Sequence, residues 1–252
     1  AKGIAGLNHL YNPDRVPFPL KRIGKRGEGR WKQISWDEAF NEIAFRLKAL
    51  QAERHHHDFI LRNTWDFSSN DLAWRFASAF DSSTTFHQAV LESPNGVFAL
   101  EETTGHSMGI GDVAHSRYIL NFGGNPYESN SLYVPFIQRL VDARVNLGAK
   151  LVTFDVRISQ TAGKSDEWFP ILPGTDSMVA LAMAHVIANE GLWDKEFIER
   201  WTNTSPARLL RHLNPYSPQK AESVSGVRAS DIKRIAVEFA NARPGVAIGG
   251  GG

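Results

Sequence analysis

The stretch that decides the fold is residues 117–154, RYILNFGGNPYESNSLYVPFIQRLVDARVNLGAKLVTF. Arg117 to Phe122 reads as a strand, and Gly123–Gly124–Asn125–Pro126 as a turn. Leu132, Phe136, Ile137, Leu140, Val141 and Val145 recur at helical spacing. Gly148 stands at the end of that helix, where a left-handed residue is needed. Lys150 to Phe154 reads as a second strand. Strand, helix and strand in so short a span make a βαβ unit, which demands a parallel sheet and a right-handed crossover. The expected fold class is α/β, a mainly parallel sheet with flanking helices.

Outward from this unit, a helix starts near Asp176 and carries Met178, Val179, Ala182, Val186 and Ile187. A linker with Pro206, Pro215 and Pro218 precedes a helix on Ile232, Ile235, Ala236 and Phe239. Val246–Ala247–Ile248 then reads as a strand before the run Gly249 to Gly252. A strand followed by glycines normally feeds a helix in an α/β fold, so the chain reads as incomplete at its C-terminus. On the N-terminal side, Ser35–Trp36–Asp37–Glu38 is a capping box, followed by Phe40, Ile43, Ala44, Leu47 and Leu50 at helical spacing. A short strand at Phe59–Ile60–Leu61 and a helix from Ser69 to Phe80 come next. Residues 81–116 read as a long polar connection, and residues 1–34 as an irregular segment, because Pro13, Pro17 and Pro19 forbid a regular helix there. The region from 35 to 252 is then the main α/β body.

The composition excludes several classes. Lys and Arg number 28 against 27 Asp and Glu, a net charge of +1, which argues against a nucleic-acid-binding body. No apolar run reaches the ~20 residues of a membrane span, and no signal peptide opens the chain. There is no cysteine, so this chain holds no disulfide and no cysteine-ligated zinc or iron–sulfur cluster. A GxGxxG fingerprint and a GxxxxGK[ST] loop are both missing, which disfavours a nicotinamide-dependent Rossmann enzyme. His55–His56–His57 reads as a solvated loop, since three consecutive side chains rarely share a face.

Chemistry in an open α/β sheet sits beyond the carboxyl ends of strands. Three such ends can be named. Gly123–Gly124–Asn125 followed by Glu128 is either a plain tight turn or a place where backbone N–H groups approach a phosphate. Asp155–Val156–Arg157 offers a carboxylate for hydroxyl or guanine donors and a guanidinium for an anion, or else an internal ion pair. In Pro173–Gly174–Thr175–Asp176, Asp176 is either a helix cap or a ligand acceptor. The basic, Gly-rich run from Lys21 to Arg30 is a solvated loop or a strip facing an anion.

Several long segments carry a resemblance. AKGIAGLNHLYNPDRVPFPLKRIGKRGEGRWKQISWDEAF opens the chain. YILNFGGNPYES, GAKLVTFDVRISQTAGKSDEWFPILPGTDSMVALAMAHVI, LWDKEFIERWT and YSPQKAESVSGVRASDIKRIAVEFA follow in order. Together they resemble the catalytic subunits of molybdopterin oxidoreductases, the dimethyl-sulfoxide-reductase family. The RGEGRW style at residues 26–31 is most similar to polysulfide- and thiosulfate-type anion reductases.

The resemblance implies part of a multi-domain oxidoreductase that binds bis(molybdopterin guanine dinucleotide) with molybdenum or tungsten. It implies two-electron chemistry on a small inorganic or organic substrate, as in anaerobic respiration. Gly123, Gly124, Asn125 and Glu128 match the family's first nucleotide turn. Asp155 and Arg157 match its Asp-Pro-Arg segment with Val156 in place of proline, and Gly174 and Asp176 match its guanine contact. Lys2 matches a lysine between an iron–sulfur cluster and the pterin; that cluster is expected in a domain preceding this chain. Counting back from Gly105 places the metal ligand at Glu92, beside Ser93 and with His87 nearby, although Glu92 also reads as an ordinary loop acid. An iron–sulfur electron-transfer subunit and a membrane anchor subunit are implied as partners, on the periplasmic side of a bacterial membrane. The alternative is a cofactor-free homologue that keeps the fold as a structural or docking subunit.

Overall fold

In the computed structural model, residues 2–63, 69–87, 94–106, 109–129 and 133–249 are described. The chain forms two compact units, residues 1–91 and 92–252.

The first unit opens with α1 (Lys2–Leu10), where an irregular segment was expected. The prolines do break the chain, but the first of them, Pro13, lies after the helix has ended. The basic run is a largely exposed loop over residues 23–30, one of its two readings, held between two short strands. These are β1 (Leu20–Arg22) and antiparallel β2 (Trp31–Gln33), with Leu20 opposite Gln33. Both strands are exposed throughout. The turn between them uses Gly27 at φ +95° and Gly29 at φ +66°. The capping box is present as expected. Ser35 Oγ accepts from Glu38 N at 3.1 Å, and Glu38 Oε2 accepts from Ser35 N at 2.8 Å, opening α2 (Trp36–Ala52). A short strand β3 (Leu61–Asn63) lies two residues later than the sequence pattern placed it. Next come α3 (Asn70–Phe80) and β4 (Thr85–His87), which pairs parallel with β3. Phe59, Phe76 and Phe80 pack as an aromatic group, with Phe59 and Phe80 centroids 5.1 Å apart.

The second unit begins with α4 (Pro94–Thr104). Together with β4, it shows that residues 81–116 are not one polar connection. The strand is only three residues long, and the apolar residues of the helix form no clear stripe, so periodicity revealed neither. The deciding stretch then folds as expected: β5 (Tyr118–Phe122), α5 (Tyr133–Asn146) and β6 (Lys150–Asp155). Gly148 adopts φ +64° after α5. Strands β5 and β6 are parallel, with Tyr118 opposite Lys150. A third strand, β7 (Glu167–Pro170), follows. Then come α6 (Asp176–Asn189), α7 (Lys195–Trp201), α8 (Pro206–Leu213), α9 (Pro218–Ser225), α10 (Ala229–Asn241) and β8 (Gly245–Gly249). The expected linker at 206–218 is therefore helical. Pro206 and Pro218 start helices, each behind a serine cap, because proline's missing N–H costs nothing in the first turn.

The sheet order is β7-β6-β5-β8, and every pair is parallel. Alternation along β5 and β6 divides the core. Tyr118, Leu120, Val152 and Phe154 pack with Val179, Ala182, Met183 and Val186 of α6 and Ile232, Ile235 and Ala236 of α10. Ile119 and Leu151 face the other way, onto Phe136, Leu140 and Ala143 of α5. Helices thus cover both faces, as an all-parallel sheet requires. Among the described residues, no helix is long and apolar enough to cross a membrane.

Candidate functional site

Parallel register places the carboxyl ends of the four strands along one edge. Phe122 lies opposite both Phe154 and Gly249, and Asp155 lies opposite Pro170. The chain moves outward from β5 to β6 to β7 and then returns to the other side of β5 as β8. The sheet's topological switch point is therefore between β5 and β8, the place where ligands settle in such folds.

Gly123 turns the chain off β5 at φ +68°, and its N–H donates to Phe154 O at 2.8 Å. Gly124 has a different reason to be glycine. An ideal Cβ there would stand 2.5 Å from Asn121 Oδ1 and 3.6 Å from Gly249 O. Asn121 is fully buried, and its Nδ2 donates to Gly124 O at 2.7 Å. Asn121 Oδ1 has no hydrogen-bond partner among the described residues. Asn125 Nδ2 donates to Glu128 Oε2. Glu128 Oε2 also faces Arg157 Nη2 at 3.6 Å.

The Asp155–Arg157 ion pair left open by the sequence does not form. Asp155 is buried and is engaged locally: Ser159 Oγ donates to its Oδ2 at 2.7 Å, and Arg157 N approaches its Oδ1 at 3.4 Å. Arg157 points its guanidinium toward Glu128 instead, and its side chain is 64% exposed, so it can reach an anion. On the next strand, Trp168 Nε1 donates to Asp155 O at 3.2 Å, and Ile171 N donates to the same oxygen at 3.3 Å. These bonds hold the loop after β7 beside the end of β6. That loop contains Gly174 at φ +78° and leads into α6.

Asp176 is not the cap of α6. Thr175 occupies the cap position, and its hydroxyl donates backward to Leu172 O at 2.6 Å. Asp176 is the first helical residue, half-buried, and its carboxylate makes no hydrogen bond or ion pair among the described residues. Negative charge in a first turn is favourable, and the free carboxylate remains available to donors from outside.

Of the twelve residues singled out in the sequence, eight share this edge: Gly123, Gly124, Asn125, Glu128, Asp155, Arg157, Gly174 and Asp176. Lys2 lies on α1 and His87 on β4, both in the first unit. Glu92 and Ser93 lie outside the described residues. Among the described residues, no group of three or more His, Asp or Glu converges to hold a metal. The histidine run enters a short helical turn (His56–Asp58), with His55 Nδ1 3.0 Å from Asp58 Oδ2. Sequence reasoning missed Asn121, Ser159 and Thr161, which hold the edge together from beneath.

The strongest electrostatics lie at the opposite edge, where the strands begin. Lys150 Nζ bridges Glu167 and Glu238 at 2.6 Å each, and Arg234 Nη2 meets Glu167 at 2.6 Å. Tyr118 Oη donates to Glu238 Oε2 at 2.9 Å. Burial alone would raise the Glu238 carboxyl, but hydrogen bonds from Lys150, Arg234 and Tyr118 outweigh it and hold it down at about 2. Burial and the neighbouring Glu238 push the Tyr118 hydroxyl well above its usual range. This network ties α10 to the sheet, whereas at the carboxyl edge Glu128 and Arg157 approach only to 3.6 Å.

The molybdopterin oxidoreductase family model matches residues 15–249. The thiosulfate reductase molybdopterin-containing subunit PhsA of Salmonella typhimurium is 34% identical over 244 residues, 97% of this chain and 31% of that protein. Acetylene hydratase of Syntrophotalea acetylenica is also 34% identical over 244 residues, 92% of this chain and 31% of that protein. The solved structure of acetylene hydratase from Pelobacter acetylenicus superposes with a TM-score of 0.82 at 30% identity, covering 98% of this chain and 34% of that one. The chain thus spans about a third of the length of the relatives it matches.

Proposed function

This chain belongs to the molybdopterin oxidoreductase family, and we propose that the carboxyl edge of its sheet holds the guanine dinucleotide half of a bis(molybdopterin guanine dinucleotide) cofactor. The observation that carries this reading is the juxtaposition on consecutive parallel strands of a Gly-Gly turn, the Asp155 turn and the partner-free carboxylate of Asp176. The fit is chemical. The turn at Gly123 and Gly124 has no side chain to keep a phosphate from the backbone. Arg157 supplies an exposed cation. Asp176 supplies an acceptor that matches the paired N–H donors on a guanine edge. Asp155 serves differently from the sequence expectation: with its oxygens engaged by Ser159 and Arg157 N, it shapes the turn that presents Arg157.

When bound, the cofactor's molybdenum or tungsten would supply two-electron chemistry on a small inorganic or organic substrate. This chain's residues bind and orient: Arg157 neutralises phosphate, Asp176 fixes the base, and Gly124 lets the turn close over the buried Asn121 amide. Glu92 is proposed as the protein's metal ligand, a hard oxygen donor suited to a high-valent metal, with Ser93 and His87 near it. Lys2 is proposed to stand between a preceding iron–sulfur cluster and the pterin. An iron–sulfur electron-transfer subunit, a membrane anchor subunit and a periplasmic location complete the reading, on the strength of the family resemblance.

The test is cofactor analysis of the full-length protein. Asp176→Asn turns half of the acceptor into a donor, and retained guanosine per protein should fall about tenfold. Unchanged guanosine would refute the assignment of Asp176. Wild-type protein carrying neither molybdenum, tungsten nor pterin would refute the whole reading in favour of a cofactor-free scaffold. For Glu92, metal-edge X-ray absorption of Glu92→Gln should show a changed inner coordination shell, and an identical spectrum would remove it as a ligand.

A further inference from the structure

Beneath the Gly123–Gly124 turn runs a file of buried polar side chains that sheet pairing does not require. Asn121, Thr153 and Thr161 are each fully buried. Asn121 Nδ2 lies 3.3 Å from Thr153 Oγ1, which lies 2.7 Å from Ser165 Oγ. Ser165 Oγ donates to Thr161 O at 2.8 Å. That last bond uses the only hydroxyl proton of Ser165, so Thr153 must donate to Ser165 and accept from Asn121. The file therefore has one direction, from the Asn121 amide to the Thr161 carbonyl.

The Thr161 side chain then closes the arrangement on the other loop. Its Oγ1 donates to Asn125 Oδ1 at 2.8 Å, and its N–H reaches the same oxygen at 3.2 Å. Tyr127 N donates back to Thr161 Oγ1 at 3.2 Å. An obligate donor at Thr161 N and an obligate acceptor at Glu128 leave one orientation for the Asn125 amide: oxygen toward Thr161, nitrogen toward Glu128. Glu128 in turn faces Arg157. Through its hydroxyl and its N–H, Thr161 thus links the loop after β6 to the turn after β5.

We propose that Thr161 is a positioning residue for the nucleotide edge, locking the turn at 123–128 to the loop at 157–164 so that Glu128 and Arg157 are presented together. This rests on the reading of that edge as the nucleotide site. The role needs an oxygen that both donates and accepts. Serine retains it, whereas valine keeps the shape and loses both bonds, leaving polar groups stranded in a low-dielectric interior.

The experiment uses full-length protein made without cofactor, guanosine diphosphate as the probe, and amide hydrogen exchange as a second readout. In Thr161→Val, exchange at residues 125–129 and 157–164 should quicken at least about tenfold, the factor carried by even one of the two lost hydrogen bonds. The core amides of β5 and β6 should stay unchanged, showing that the variant folds. Affinity for guanosine diphosphate should fall several-fold, and Thr161→Ser should restore both readouts. Unchanged exchange in Thr161→Val, or no recovery in Thr161→Ser, would overturn the role. Wild-type protein that fails to bind the probe while the two loops respond as stated would overturn the nucleotide reading, and with it Thr161's part in that site.

Discussion

Replacing Gly124 by alanine tests whether the buried file beneath the turn is rigid. Gly124 does not adopt the left-handed backbone that Gly123 adopts, so alanine meets no conformational penalty there. The obstacle is contact: the new methyl would stand 2.5 Å from Asn121 Oδ1, far inside van der Waals distance. The amide can escape by rotating, but Asn121 Nδ2 then leaves Gly124 O at 2.7 Å and Thr153 Oγ1 at 3.3 Å. One good and one long buried hydrogen bond lost amount to about 1–2.5 kcal/mol. Staying in place incurs overpacking strain of about 1–3 kcal/mol. Either route gives about 2 kcal/mol. At Gly123 the situation is reversed: a Cβ meets nothing within 4 Å, and the cost is the left-handed φ of +68°. That cost is about 1 kcal/mol. Urea midpoints, followed through exchange of the β5 and β6 amides, should therefore rank Gly124→Ala below Gly123→Ala. Adding Asn121→Ala removes the contacting oxygen, so the double variant should be more stable than the sum of its parts. A Gly124→Ala variant no worse than Gly123→Ala, with additive double-variant behaviour, would refute the argument.

Two further outcomes are expected. Glu238 is held near 2, against an ordinary value of 4.5, so the stability it contributes is complete above about pH 4.5 and is lost as pH falls toward 2. For a carboxylate about a third exposed, screening reduces this to about 1–2 kcal/mol. Glu167, lowered by the same two cations, titrates in both proteins, so wild type should lose more sheet protection across that window than Glu238→Gln, and equal loss in both would remove Glu238 as a cause. Ser35→Ala deletes the acceptor for Glu38 N, so exchange at the start of α2 should quicken about fivefold, with no change at its C-terminal end. Equal exchange in both proteins would show that the cap contributes nothing.

The fold was most legible where periodicity and punctuation agreed. Residues 117–154 alternate strand-like, helix-like and strand-like patterns, separated by glycines that the turns require, and their two strands pair parallel as expected. The capping box was equally local and equally readable. Proline misled in both directions. Three prolines after residue 12 concealed a helix that had already ended, and Pro206 and Pro218, taken for a linker, are helix starts. A proline marks a boundary without saying which side is helical. The strand at 167–170 carried no alternation because, at the sheet's edge, it is only half-buried on both faces.

The candidate site was legible in its outer residues and opaque in its supports. Glycines and carboxylates just past strands announce themselves, because strand ends are where an open sheet places ligands. What sequence could not assign was which partner each side chain takes. For Asp155 and Arg157, two residues apart, the sequence left an ion pair open, yet the turn points Arg157 at Glu128, which is separated from it by the whole of α5 and β6. Thr161 is the sharper case. A threonine after a strand is commonplace, and its significance depends on Asn125 and Tyr127 arriving beside it once β5 and β6 have paired. Before pairing, the three residues share no pattern. After it, the Thr161 N–H sets the Asn125 amide with its oxygen inward and its nitrogen toward Glu128, and the Thr161 hydroxyl bonds both that amide and Tyr127 N. The exposed residues of this edge were therefore readable one at a time, while their arrangement is a property of the folded sheet, enforced from below by side chains that a ligand would never touch.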